Sequence, residues 1–450
     1  MRNAGTRAAS AALALVLSGC TFGAQGGPPL AGGGVLPESP GTGAGKIKHV
    51  VYIVQENRSF DSLFQGYPGA DTVSSGKISS GKTVPLVPAG LQLRYDVDHS
   101  AAAMFEACDG TGKLPGTKCR MDGFDKEQAY FWPPRIKYPQ YVYVPRRESE
   151  PYFEMAREWV LADKMFQSQL DESFVAHQYV IAAQAGSSVN LPDGEWGCQG
   201  GSSDMVPTIT KKRTLGSYQQ ACFDYQTLGD ELDAAGLSWR FYTSKYGSPS
   251  SDGGADWSGY QAVRHIYQGR DWAKVITPQK TFITDVRAGK LANFTWITPI
   301  CANSDHVNCG GGFGPSWVTA LVNTIGESKF WDSTAIFVQW DDWGGLYDHV
   351  PPPYEGYDSL GFRVPLLVIS PYARHGRVSH VQYETASVLR FAEDLWGLGR
   401  LAAADTRSNS PAGDCFDFNA GPRPFVHIKA RKGVEFFLKQ SNDNRAPDYE

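Results

Sequence analysis

Several signatures are missing from this sequence, and each absence excludes a class of function. The 450 residues hold no CxxC pair and no Cys/His spacing that suggests structural zinc. No basic cluster sits on a predicted helix, and the formal net charge is -5, so nothing reads as a nucleic-acid footprint. The glycine-rich turn Gly310–Gly314 lacks the Lys-Ser/Thr that a nucleotide-binding P-loop needs. Beyond the first twenty residues no apolar run is long enough to span a bilayer. What is present is a globular composition: 20% charged residues, 12 Trp and 21 Tyr, in a length that suits one large α/β domain or two smaller ones.

The chain opens on an export signal. Arg2 and Arg7 precede a short apolar stretch, Ala8 to Leu17, which ends Leu17-Ser18-Gly19-Cys20. That ending resembles a bacterial lipobox. Residues 1–20 are therefore expected to be a lipoprotein signal peptide with Cys20 acylated. The acyl chains would hold the protein on the extracytoplasmic side of a bacterial membrane, in the periplasm or at the cell surface. Residues 21–46 are rich in Gly, Pro and Ala and read as a flexible tether. Residues 47–450 are left for the folded domain. Export makes disulfides the expected fate of the later cysteines. Proximity in sequence suggests Cys108–Cys119, Cys198–Cys222 and Cys301–Cys309, with Cys415 left over.

Apolar strands alternate with helical segments along that domain. Ile47–Val54, Ser238–Tyr242, Leu291–Pro299, the run from Ala335 and Val364–Ser370 read as strands. Phe153–Trp159, Gln178–Ala185, Leu228–Ala235, Phe282–Gly289, Ser316–Gly326 and Tyr383–Leu398 read as helices. This alternation points to α/β: a doubly wound, mostly parallel sheet with helices on both faces and long loop insertions. Residues 248–256 read as a polar loop, and the tail from Asp405 as polar.

Four apolar strands end in polar clusters: Glu56-Asn57, Asp305-His306, Asp341-Asp342 and, less directly, Ser173. The carboxyl ends of parallel strands are where ligand sites collect in such sheets. Two adjacent carboxylates are costly to desolvate, and a cation between them relieves the cost. Alone, an Asp pair reads as a solvated turn, His99 as a surface histidine, and Ser173 as a helix N-cap. Together on neighbouring strand ends they point to a metal site with a nucleophile.

The motifs Glu56-Asn57-Arg58-Ser59-Phe60-Asp61, Asp96 to His99, Met121-Asp122-Gly123-Phe124, Ser304-Asp305-His306 and Asp341 to Pro352 resemble the bacterial phosphoesterase family. That family holds phospholipases C and acid phosphatases within the alkaline-phosphatase-like superfamily. The resemblance runs from Lys46 to Gly399. It implies a phosphoesterase catalytic domain in which Glu56, Asn57, Asp341 and Asp342 bind one divalent metal ion. The all-oxygen set suits Ca²⁺, Mg²⁺ or Mn²⁺ better than Zn²⁺. It implies Ser173 as nucleophile, with His99 and His306 contacting the phosphate and assisting the leaving group. His349 is a further substrate-binding expectation, although it and Asp348 also read as shaping the loop. Around Ser173 the sequence departs from the family's Pro-Thr/Ser-x-Pro-Asn form. The expected substrate is a phosphomonoester or a phospholipid, and the short stretch after the core favours a phosphatase-like or broad phosphodiesterase role. The competing reading is a non-catalytic lipoprotein that binds a phosphorylated ligand.

Overall fold

The computed structural model describes residues 41–441, apart from 93, 132–135, 195, 245–256, 308 and 310. The expected signal peptide with Cys20, the tether up to residue 40 and the loop at 248–256 lie outside the described residues.

Eight described strands form one sheet: β1 (His49–Gln55), β2 (Val160–Ala162), β3 (Trp239–Tyr242), β4 (Val275–Ile276), β5 (Phe294–Ile297), β6 (Thr334–Trp340), β7 (Leu366–Ile369) and β8 (Arg377–Ser379). Their order across the sheet is β4-β3-β5-β1-β6-β7-β2-β8. Only β7 runs against its neighbours. The other pairs are parallel. The two central strands, β1 and β6, pair along their whole length, from His49 opposite Thr334 to Gln55 opposite Trp340. Both are buried on both sides, which is why each reads as a continuous apolar run rather than an alternation. Each fully buried Val or Ile there contributes about 1.5–3 kcal/mol.

Helices cover both faces. On β6, Trp340 packs edge-on to Tyr152 of α1 (Arg146–Glu158), with ring centres 4.9 Å apart. Phe337, three residues back and so on the opposite face, packs 5.0 Å from Phe391 of α2 (Ala386–Trp396). A third helix, α3 (Ser173–Ala182), lies against β5, where Trp296 Nε1 donates to the Val180 carbonyl oxygen. This helix starts five residues before the expected Gln178, so Ser173 is its first residue and Glu172, not Ser173, is the N-cap. The tail that reads as polar also supplies core: Phe416 and Phe437 are buried, and Phe437 packs on Trp317.

Three disulfides close, Cys108–Cys119, Cys198–Cys222 and Cys301–Cys309. Cys415 is free and buried. All three join residues close in sequence, so they staple loops rather than the sheet. Among the described residues no helix is long and apolar enough to cross a membrane.

Candidate active site

The site is built where β1 and β6 end side by side. The register that pairs Gln55 with Trp340 brings Glu56-Asn57 next to Asp341-Asp342. Asn57 turns the chain out of β1 with φ 48°, a left-handed conformation that asparagine tolerates better than most residues. Its backbone N–H donates to Asp341 Oδ1 at 3.2 Å. On the other side, Gly344 and Gly345 also have positive φ, and the loops approach so closely that a Cβ on Gly344 would lie 2.7 Å from the Asn57 carbonyl oxygen. This explains the Gly pair that follows the two aspartates.

The first turn of α3 reaches into this cluster. Ser173 Oγ lies 3.2 Å from Asp342 Oδ2 and 3.3 Å from Glu56 Oε2, and donates to these carboxylates. One turn on, His177 Nε2 lies 2.9 Å from Glu56 Oε1 and 3.7 Å from Asp341 Oδ2. The Asn57 amide donates to Asp342 Oδ2 (3.3 Å) and stands 3.5 Å from Ser173 Oγ and 3.0 Å from His99 Nε2. His99 donates from Nδ1 to the Val97 carbonyl oxygen at 2.9 Å, which leaves Nε2 to accept from Asn57 and to face Asp342 at 3.7 Å. Glu56, Asn57, Ser173, His177, Asp341 and Asp342 are all fully buried. Two residues before Ser173, burial pushes the Asp171 carboxyl up to about 7, against hydrogen bonding by the Asn190 backbone N–H.

Does this set fit a cation? Three buried carboxylates are costly unless something positive joins them. The side chains described against them are Asn57, Ser173, His99 and His177, none with a fixed positive charge. Arg58, next in sequence, donates from Nε to the Asp305 carbonyl oxygen instead. Asn57 Oδ1 and Asp341 Oδ2 are buried with no hydrogen-bond partner. Glu56, His177 and Asp341 each offer one ligand atom, all within 4.8 Å of one another. The residues therefore fit a metal ion. His177 adds an imidazole nitrogen to the oxygen atoms expected of the cluster. Such a mixed set is also compatible with Zn²⁺, beside the Ca²⁺, Mg²⁺ or Mn²⁺ that the oxygens suit. His177 was open to detection: it sits four residues after Ser173, one helical turn along the same face.

His306 follows the end of β5, the strand next to β1. Its Nδ1 donates to the Val307 carbonyl oxygen at 2.5 Å, and its ring lies 6.1 Å from Trp257. The residue before it, Asp305, accepts from Tyr152 (2.7 Å) and Trp340 (3.0 Å) on Oδ2, and burial raises its carboxyl to about 6.

His349 is not brought to the cluster. Its Nδ1 donates to Asp61 Oδ2 at 2.6 Å and its Nε2 to Asp71 Oδ1 at 3.0 Å. Both ring nitrogens are thus engaged by carboxylates, and the substrate contact expected of it has no free ring atom. Beside it Arg363 grips Asp348 with two hydrogen bonds, 2.8 and 3.1 Å. Asp61, Asp348 and His349 also meet the distance condition for holding a metal ion. There, however, a guanidinium already fills the role of the cation.

Comparisons with known proteins find several to which this chain is similar. Phospholipase C A of Mycobacterium tuberculosis is 25% identical over 403 residues, covering 78% of this chain and 73% of its own. Non-specific phospholipase C1 of Arabidopsis thaliana is 26% identical over 398 residues, covering 79% of this chain and 68% of its own. A Vibrio parahaemolyticus structure described as a protein in the alkaline phosphatase superfamily covers 82% of this chain and 71% of its own, at 10% identity and a TM-score of 0.39. At that distance it carries no weight for the site. The model of the Phosphoesterase family matches residues 47–399, which takes in every strand of the sheet and each clustered side chain. The chain belongs to the Phosphoesterase family.

Proposed function

We propose that this chain hydrolyses phosphate esters through a phosphoserine formed on Ser173, with one divalent cation held by Glu56, Asn57, Asp341, Asp342 and His177. Membership of the family makes it a hydrolase of phosphoric ester bonds. The observation that carries the rest is the position of Ser173 Oγ, on the first turn of α3 and 3.2 Å from Asp342. Phosphoryl transfer needs positioning and charge neutralisation more than covalent help. The N–H groups of the first turn of α3, with the helix dipole, favour a phosphoryl group beside Ser173. A divalent ion, when bound, supplies positive charge beside the serine oxygen and the transferring phosphoryl group. Ser173 gives its proton to a neighbouring carboxylate. Its Oγ–P bond forms as the bond from phosphorus to the departing alcohol oxygen breaks. His306 supplies the proton to that oxygen, and His99 holds the phosphate. Water then cleaves the phosphoserine.

The relatives named as phospholipases C support a phospholipid as substrate alongside a phosphomonoester. The three disulfides support an oxidising, extracytoplasmic location, and the leader sequence supports anchoring through Cys20. The test is hydrolysis of a chromogenic phosphomonoester and of phosphatidylcholine, each with and without chelator, followed by mass spectrometry of acid-quenched enzyme. Chelator-sensitive turnover with phosphate on Ser173 is expected. Turnover indifferent to chelator, or phosphate on another residue, overturns the assignment.

A further inference from the structure

Apart from the site, the described surface has one place where exposed apolar side chains gather. Five large hydrophobic side chains are exposed among the described residues, and three belong to one rim: Leu215 (62%), Tyr218 (52%) and Tyr354 (51%). Leu215 and Tyr218 lie on the second strand of a hairpin, Met205–Ile209 with Leu215–Gln220. The register pairs Ile209 with Leu215 and Pro207 with Tyr218, so the second strand carries one extra residue between them. That bulge returns Leu215 and Tyr218 to the same side of the hairpin.

Arg213, at the hairpin turn, fastens this side to two other loops. It donates to the carbonyl oxygens of Pro115 (3.1 Å) and Gly116 (2.9 Å), and to those of Gly356 (3.0 Å) and Tyr357 (2.9 Å). Its guanidinium lies 4.9 Å from the centre of the Tyr354 ring. The positive charge of Arg213 is thus spent inside the rim. The exposed charges are those of Lys211 and Lys212 on the turn, and of Lys113 and Lys118 on the loop it holds. Glu355, exposed, and Asp358 offset part of this, yet the rim stays cationic in a chain of net charge -5.

The rim is also tied to the catalytic end of the molecule. Val189 N–H donates to the Pro207 carbonyl oxygen, and Ile209 N–H to that of Ser187, each at 2.9 Å. The next residue, Asn190, donates from its backbone to Asp171 Oδ2 and accepts on Oδ1 from Ala101 N–H. Asp171 lies two residues before Ser173, and Ala101 two after His99.

We propose that this rim, through Leu215, Tyr218, Tyr354, Lys211 and Lys212, docks the protein onto an anionic lipid surface. Aromatic and aliphatic side chains ringed by lysines match the boundary between acyl chains and negatively charged headgroups. The occupant is a membrane because the lysines need negative charge while the apolar side chains need somewhere to bury. The inference does not depend on the ester cleaved being a lipid.

The experiment uses the full chain with Cys20→Ser in every arm, so that no acyl anchor contributes. Vesicles of phosphatidylcholine, with and without phosphatidylglycerol, are sedimented with it. Sedimentation with the phosphatidylglycerol vesicles, weakened by salt, is expected. Lys211→Gln with Lys212→Gln should weaken it about 30-fold, from about 1 kcal/mol per lysine near the surface. Leu215→Ser with Tyr218→Ser and Tyr354→Ser should weaken it at least as much. Turnover of a soluble chromogenic phosphomonoester, unchanged in both variants, shows that they fold. No sedimentation of the parent, equal sedimentation of the variants, or binding indifferent to phosphatidylglycerol overturns the proposal. So does light scattering that finds the parent dimeric and the triple variant monomeric, because the patch would then join two copies of the chain.

Discussion

Two acidic clusters hang from the ends of the same two strands, β1 and β6, and they solve the same problem differently. One holds Glu56, Asp341 and Asp342; the other holds Asp61 and Asp348. All five carboxylates are buried. In the second cluster the chain supplies the counter-charge: Arg363 forks onto Asp348, and His349 bridges Asp61 and Asp71. In the first, the described side-chain partners are an amide, a hydroxyl and two imidazoles, joined by the backbone N–H groups of Asn57 and Gly344. A buried acidic cluster that carries its own cation is a strut. One whose described side-chain partners carry no fixed positive charge could hold a metal ion. Counting carboxylates does not separate them; the presence of a fixed positive group does.

The largest effects should sharpen that division. Asp342→Ala and Ser173→Ala should each lower phosphomonoester turnover by about 10³-fold or more, with circular dichroism and thermal melting close to the parent. Turnover within tenfold of the parent would remove Asp342 or Ser173 from the chemistry. In the other cluster, Arg363→Ala should cost about 3–5 kcal/mol of stability, because it strands buried carboxylates without their partner. Urea unfolding measures this, and a loss below about 1 kcal/mol would mean that Arg363 is not what holds the second cluster. The next effect has the opposite sign. With metal removed by chelator, Asp341→Asn should be more stable than the parent by about 1 kcal/mol, since it takes one negative charge out of a buried cluster whose described side-chain partners carry no fixed positive charge, at constant shape. The stabilisation the parent gains from added Mn²⁺ or Zn²⁺ should shrink in the same variant. A destabilised Asp341→Asn in chelator would show that the first cluster is self-compensated after all.

How much of this was legible in the sequence follows from which forces are local. The apolar runs of β1 and β6 and the polar breaks after them are local patterns, so the sheet and the gathering of Glu56, Asn57, Asp341 and Asp342 could be read before any coordinates. His177 could have been read too, from its four-residue offset to Ser173, but only once α3 was known to begin at Ser173. The sequence placed that helix five residues later because Phe174, Val175 and Ala176 carry no helix-start signal; packing of a wholly buried helix decided the boundary. The role of His349 was illegible for another reason. Its partners Asp61, Asp71 and Arg363 come from three segments, and Arg363 stood out in no motif. Likewise the tail's Phe416 and Phe437 look isolated among polar residues until the core they enter has formed.

The smallest effect probes the strut through pH. Burial alone would lower the His349 pKa, but the bond from Nδ1 to Asp61, with the charges of Asp61 and Asp348, raises it above 6.5, against the opposing charge of Arg363. A histidine whose pKa is higher folded than unfolded binds its proton more tightly in the fold. Its contribution to stability is therefore complete below about pH 6.5 and is lost as pH rises through the folded pKa. Asp71 on Nε2 works in the same direction but is half exposed, so the net gain should stay near or below about 1 kcal/mol. His349→Gln keeps a donor for Asp61 and removes the titration. Melting temperatures taken from pH 5.5 to 8.5 should fall more steeply in the parent than in this variant. Parallel curves would mean that His349 does not change its charge on unfolding, and that Arg363 compensates the second cluster alone.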